Sequence, residues 1–399
     1  MPASTNKKVS NSHIHDDIAF SILSKLPLKS LKRFTCVKKS WFLLFQNPIF
    51  MNMFRNDFFI SKHDKDDIST CLLFKERTIN FQYHDTLYTH SGEKFEDKVR
   101  LEWPPPFNLD DSFIEILGCT SVKGVLCTYQ KIGNDTTTVL WNPATGEFKI
   151  IPPSLQPYDN IECNSLPVAF GYDNVRDDYK VIRNARYPIE FEGNWVYVHK
   201  KESSFRKLDL MMDEGQQVEM CDPDWEIYSL RNNSWRKLDG VDMPPPWPCS
   251  SLVNLNEWCH WFGFESEMLS FDFSNEKFFA TALPSDSDEM YEWILLILND
   301  SVASICIYDD MNSFHIWILG ELGVKESWTK LFIVGPLTCV SHPIKAAKKN
   351  DIFFVKKNGD LARFNLRTQI FAVIGVSVLY VHQIVTYKEN FLSIEGMNN

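Results

Sequence analysis

Few side chains in this chain of 399 residues stand at spacings that could carry chemistry. His13 and His15 flank Ile14 and offer two imidazoles to a metal, yet no third ligand is spaced to join them and the segment reads as a free tail. Cys259 and His260 are neighbours in the run Trp258, Cys259, His260, Trp261, which has strand character. Adjacent strand residues point to opposite faces, so this thiol and imidazole cannot act together as nucleophile and base. The aromatics around them read as core. Asp177 with Asp178, and Asp309 with Asp310, pair carboxylates, but both pairs sit among turn formers, where Asp bonds its own backbone. There is no G-x-S-x-G elbow and no phosphate-cradling loop. The expectation is a protein with no catalytic residue, metal or cofactor of its own.

The composition suits folded domains. Hydrophobic residues make up 44% and aromatics 14%, enough for two domains with a large core. Residues 1–60 hold 9 Lys+Arg against 3 Asp+Glu, a net of +6, so the remainder carries −17 of the total −11. A basic head suits an acidic partner, whereas an acidic body argues against nucleic acid. Ten Cys are scattered with no C-x-x-C pair, and the N-terminus lacks an apolar signal segment. The longest apolar runs, at 293–298 and 371–381, are too short to span a bilayer. These features predict a reducing compartment, cytoplasmic and/or nuclear, and no membrane partner.

Three short amphipathic segments follow the tail. Asp16 and Asp17 open a helix that carries Ile18, Ile22, Leu23 and Leu26 on one stripe. Pro27 stops it and suits the start of a second helix with Leu28, Leu31, Phe34 and Thr35. A third is expected from Val37 to Gln46, with Trp41, Leu44 and Phe45 on one side and Pro48 as its stop. So short a segment cannot bury its own apolar faces, which leaves two choices: it packs on its own body, or it serves a partner surface.

The run LSKLPLKSLKRFTCVKKSW resembles the F-box motif in its plant form, over roughly residues 12–50, within a helical head expected over 12–54. His15 stands where that motif usually has Pro. The resemblance implies docking on a Skp-type adaptor, and through it a cullin, by a surface made of Ile18, Ile22, Leu26, Pro27, Leu31, Val37 and Trp41.

From about Cys71 the chain becomes short β-branched and aromatic runs punctuated by Asn, Asp, Gly and Pro. A strand, a polar turn and an aromatic strand recur at 139–152, 225–238, 269–284, 314–334 and 360–374. The repeat points to a β-propeller of about six blades, with Cys71–Tyr83 pairing with the C-terminal VHQIVTYKENFLSI to close the ring; a β-sandwich is the alternative. The fold class expected is α+β overall, a three-helix head followed by a mostly-β body over 60–399. Residues 1–11 are expected to be disordered. WPPPF at 103–107 and MPPPWP at 243–248 read as rigid loops between strands.

The ordered elements FGYD, YSL with SW, CHW and SFD resemble the F-box-associated domain of plant F-box proteins, the broad group that includes the S-locus F-box proteins. The resemblance implies a substrate-recognition subunit of a Skp–cullin–F-box ubiquitin ligase, holding an unknown target protein. A propeller enzyme such as a glycosidase, and a scaffold that ubiquitylates nothing, are the competing readings. Long connections at 152–167, 185–222 and 284–292 are expected to choose the target.

Overall fold

A computed structural model describes residues 16–26, 28–34, 41, 43–44, 47–51, 53–54, 70–80, 82–91, 95, 97–107, 113–132, 135–153, 164–186, 189–191, 194–196, 224–238, 252–263, 266–284, 290–308, 313–337, 339–348, 351–377, 381–391 and 393–394. Six four-stranded antiparallel sheets and one small hairpin account for the strands described.

Each sheet is a blade. Blade I sets the C-terminal strand Val381–Lys388 beside Thr70–Asn80, Gln82–Ser91 and Asp97–Leu101, in that spatial order. Blade II is Ile114–Ile116, Leu126–Ile132, Asp135–Trp141 and Phe148–Ile150. Blade III is Asn164–Asp173, Asp178–Arg186, Asp224–Ser229 and Ser234–Lys237, with the hairpin Ile189–Phe191 and Asn194–Val196 inserted midway. Blade IV is Val253–Leu255, Trp258–Phe262, Glu267–Asp272 and Lys277–Ala282. Blade V is Met290–Leu298, Ser301–Tyr308, Ser313–Ile318 and Thr329–Val334. Blade VI is Val340–Lys348, Asp351–Lys356, Asp360–Asn365 and Ile370–Ser377.

The molecule is a six-bladed β-propeller, as the repeat predicts. The five recurring sequence units are the outer hairpins of blades II to VI. In four of them the turn follows one recipe. The amide of the last turn residue bonds back to a carbonyl three or four residues earlier, at Gly146, Asn233, Glu276 and Gln369, and each of these has positive φ. Asn142, Asp272 and Asn365 also accept bonds from backbone amides two or three residues ahead.

Ring closure is confirmed strand for strand. Thr70 pairs with Lys388 and Phe74 with Ile384, in antiparallel register. One apolar cluster fills each of the six gaps between neighbouring blades, because every blade has two apolar faces to cover.

Strand direction alternates, so connections fall on two ends of the propeller. Those joining first to second and third to fourth strands share one end. Those joining second to third strands, and each blade to the next, share the other. The chain enters blade I at Thr70 on the first, near end; the opposite one is the far end.

Two short helices are described in the head, α1 (Asp16–Leu23) and α2 (Leu28–Phe34). The expected third helix falls largely outside the described residues; Asn47 is not helical, and a further helical segment begins at Pro48. Residues 48–51 and 53–54 are helical again. Asn47 caps that segment by accepting the amides of Ile49 at 2.9 Å and Phe50 at 3.2 Å, and Pro48 takes the first position, where its missing N–H costs nothing.

Candidate functional site

The head divides its apolar residues between two surfaces. On α1, Ala19 and Leu23 are buried while Ile18 and Ile22 remain 58% and 56% exposed. Residues four apart share a helical face, and a shift of one residue turns the side chain by about 100°, so the single stripe expected from the sequence is in fact two. Leu31 is fully buried, which removes it from any outward surface here. Leu26 and Trp41 are partly buried and pack inward with it. Pro27 and Val37 lie outside the described residues. Phe34, Leu43 and Ile49 are exposed and were not foreseen as surface residues. The Phe34–Trp41 edge contact, with ring centroids 6.0 Å apart, ties Phe34 to the expected set.

The inward face of the head is continuous with the body. Leu23, Leu31, Leu44, Phe50, Met51 and Phe54 belong to the same apolar cluster as Ile318 of blade V and Leu366 of blade VI. Arg33 of α2 pairs with Glu321 at 3.1 Å, in the near-end connection between the outer strands of blade V. At 67% exposure Arg33 adds little energy to that contact, so the buried apolar surface holds the head.

The far end is built differently. The long connections expected to choose a target, 152–167, 185–222 and 284–292, all join strand ends on this side. Phe113, Ile132 and Leu166 are exposed at the far ends of strands in blades II and III. Arg77 lies 4.3 Å from the Phe113 ring centroid. It is held by Asp85 at 2.6 and 2.8 Å and by Glu115 at 3.1 Å. Lys75, almost fully buried, reaches Glu115 at 2.5 Å and the Ile114 carbonyl at 2.9 Å. Burial lowers its pKa against the opposing pull of Glu115. A cleft of about 290 Å³ opens beside this group, lined in part by His84, Arg100, Glu102 and Trp103.

The Cys259 and His260 pair is core. Both are buried, and burial raises the Cys259 thiol far above its usual range. His260 sits 2.8 Å from Ser270 Oγ, and burial pushes its pKa down to about 3. Its unfolded value is about 6.5, so below that pH the unfolded chain binds a proton that the native state does not. Stability therefore falls with pH from about 6.5 toward 3, by about 1.4 kcal/mol per unit. Between pH 7 and 5 the wild type should lose about 2 kcal/mol more than His260→Gln, read from urea midpoints. Equal losses would show that the imidazole is not buried neutral. Asp177 and Asp178 lie at the turn expected: Tyr172 donates to Asp177, and Asp178 accepts from Ser229 Oγ at 2.6 Å and the Arg231 amide at 2.8 Å. His13, His15, Asp309 and Asp310 lie outside the described residues.

Residues 96–392 match the family described as the F-box associated beta propeller domain. The putative F-box protein At3g17490 of Arabidopsis thaliana is 26% identical over 396 residues, covering 92% of this chain and 88% of the relative. Another from the same plant, At3g21120, is 22% identical over 356 residues, covering 84% and 86%. A crystal structure of TolB from Acinetobacter baumannii is similar at 10% identity with a TM-score of 0.45, over 81% of this chain and 67% of that one. The family match spans most of the body, from the outermost strand of blade I to the residues after the closing strand, and the chain belongs to the F-box-associated β-propeller family.

Proposed function

We propose that the chain is the substrate-recognition subunit of a Skp–cullin–F-box ubiquitin ligase. Residues 12–54 dock on the Skp-type adaptor and the propeller holds a target protein. The observation that carries the reading is the exposed Ile18 and Ile22 pair on a head joined to the near end of a propeller of this family. With Phe34, Leu43 and Ile49 it leaves apolar side chains in water that a partner helix surface would cover. Leu31, and the inward-packed Leu26 and Trp41, support that surface from beneath. The chain contributes proximity: a held target meets a conjugating enzyme carried by other subunits at high effective concentration.

The test is Ile18→Asp with Ile22→Asp. Both side chains face water, so the melting temperature should stay within about 2 °C of wild type, as for surface substitutions. Adaptor affinity should fall about 100-fold or more, the loss expected when central apolar anchors are replaced by charge. Undiminished binding of the folded double variant would remove α1 from the interface.

A further inference from the structure

Where blades I and II meet at the far end, one buried ion-pair network stops short of satisfying itself. Lys75 and Arg77 continue the strand face on which Cys71 and Leu73 pack against blade II, so two cations stand where that apolar cluster runs out. Lys75 bonds to Glu115 and to the Ile114 carbonyl. Arg77 bonds through Nε and Nη2 to Asp85, and through Nη2 to Glu115 at 3.1 Å. Its Nη1 makes no hydrogen bond among the described residues, which leaves two N–H donors unused. Beside it the Glu115 side chain is 36% exposed and can accept further bonds. The Phe113 ring, 43% exposed, lies 4.3 Å from the same guanidinium. The closing strand adds His382 at the rim. Lys75 pairs with Gln383 and Glu76 with Val381, so His382 is an extra residue in the ladder, and such a bulge re-aims the side chain it carries. Burial, Arg77 and Lys75 lower its pKa against the pull of Asp85 and Glu115, so the exposed imidazole is neutral at pH 7.

The formal charges of Lys75, Arg77, Asp85 and Glu115 cancel, and each is already paired. A charged group entering here would give up its hydration without meeting a free counter-charge. A neutral peptide group meets both of its needs: Arg77 Nη1 donates to its carbonyl oxygen and Glu115 accepts its N–H. Because Arg77 touches both Glu115 and the Phe113 ring, the polar contact and the apolar one fall within the span of one residue. A few fixed polar groups beside an aromatic surface are what gives a binding site its orientation. We infer that this mouth takes an uncharged extended segment of a target protein, with a main-chain peptide group held between Arg77 and Glu115 and an apolar side chain set against Phe113. His382 offers the same segment one further donor or acceptor. This rests on reading the chain as a target receptor and names the chemistry of its target.

The test titrates the full chain at pH 7 with four small probes, followed by saturation-transfer NMR. N-acetylphenylalanine N-methylamide is neutral and carries the side chain. N-acetylphenylalanine replaces its second amide by a carboxylate, phenylalanine N-methylamide replaces its first by an ammonium group, and N-acetylglycine N-methylamide lacks the side chain. The first should bind about fivefold or more tightly than each of the others, the margin expected when one polar group is left unmatched or one apolar contact is lost. Phe113→Ala, at an exposed position, should melt as wild type and bind the first probe no better than the glycine one. Glu115→Gln keeps the shape but leaves the cluster one positive charge in excess, so N-acetylphenylalanine should become the tightest of the four. Equal binding of the four probes, no binding of the first, or an unchanged order in Glu115→Gln would overturn the inference. Adaptor affinity measured on the same wild-type protein separates its failure from that of the receptor reading: adaptor binding without probe binding sinks this inference alone.

Discussion

A chain ended before Val381 should show no cooperative unfolding transition in any part of the propeller. The deleted strand is the inner member of blade I, and it is held on two sides. Against blade I it pairs from Thr70↔Lys388 to Glu76↔Val381. Against blade II, Gln383 Nε2 donates to the carbonyls of Ile116 at 2.6 Å and Gly118 at 3.1 Å, and the Thr386 amide donates to the Cys119 carbonyl at 2.8 Å. The Ala144 amide donates to Tyr387 Oη at 3.1 Å. Ile384, Val385, Tyr387 and Ile394 are buried in three different interblade clusters. Burying side chains of this size contributes about 1.5–3 kcal/mol each, so their loss alone approaches the 5–15 kcal/mol by which folded proteins are typically stable. The deletion also leaves the edge of Thr70–Asn80 unpaired. Circular dichroism melts and limited proteolysis check this. A protease-resistant body with a sharp melt would mean the ring does not depend on its closure.

Replacing Lys180 by Met should destabilise the body by about 3–5 kcal/mol, the cost of leaving a buried carboxylate without its main partner. Lys180 Nζ donates to Asp173 Oδ2 at 2.6 Å, to the Phe273 carbonyl at 3.0 Å and to Glu276 Oε1 at 2.8 Å, joining blade III to blade IV. Burial works against the Asp173 carboxylate, but hydrogen bonds from Lys180 and Arg176 outweigh it and hold its pKa well below the usual range. Glu276 is likewise lowered, with burial opposed by Arg236 and Lys180. A depressed carboxylate pKa stabilises the fold above its unfolded value of about 4, and that contribution is lost as pH falls through the folded value. The gap between wild type and Lys180→Met should therefore be full at pH 7 and narrow below about pH 4. Denaturant midpoints at the two pH values measure it. A gap that is constant with pH would mean that the lost packing of the lysine stem, and not its charge, sets the cost.

The outer hairpins of blades II to VI were legible because their turns are local. An Asn or Asp that accepts nearby amides, and a residue held at positive φ, announce themselves within six positions. The Lys180 network was not legible. Asp173 and Glu276 are about a hundred residues apart and meet only because blade III packs on blade IV. A signal was present in the acidic ends of FGYD and SFDFSNE, but nothing in either run names a partner.

The sequence by itself determined the family, the repeat, the closing of the ring by its two ends and the charge contrast between head and body. Each depends on residue types within one segment or on simple sums along the chain. Only the tertiary structure decided that Leu31 turns inward while Ile18 and Ile22 face water, because helical periodicity places residues on a stripe without saying which edge of it a neighbouring blade will cover. It also decided that the strand ends joined by the connections at 151–163, 187–223 and 283–289 all lie on the end opposite the head. That grouping follows from the alternating direction of antiparallel strands around a closed ring, a property of how blades pair and not of any one loop.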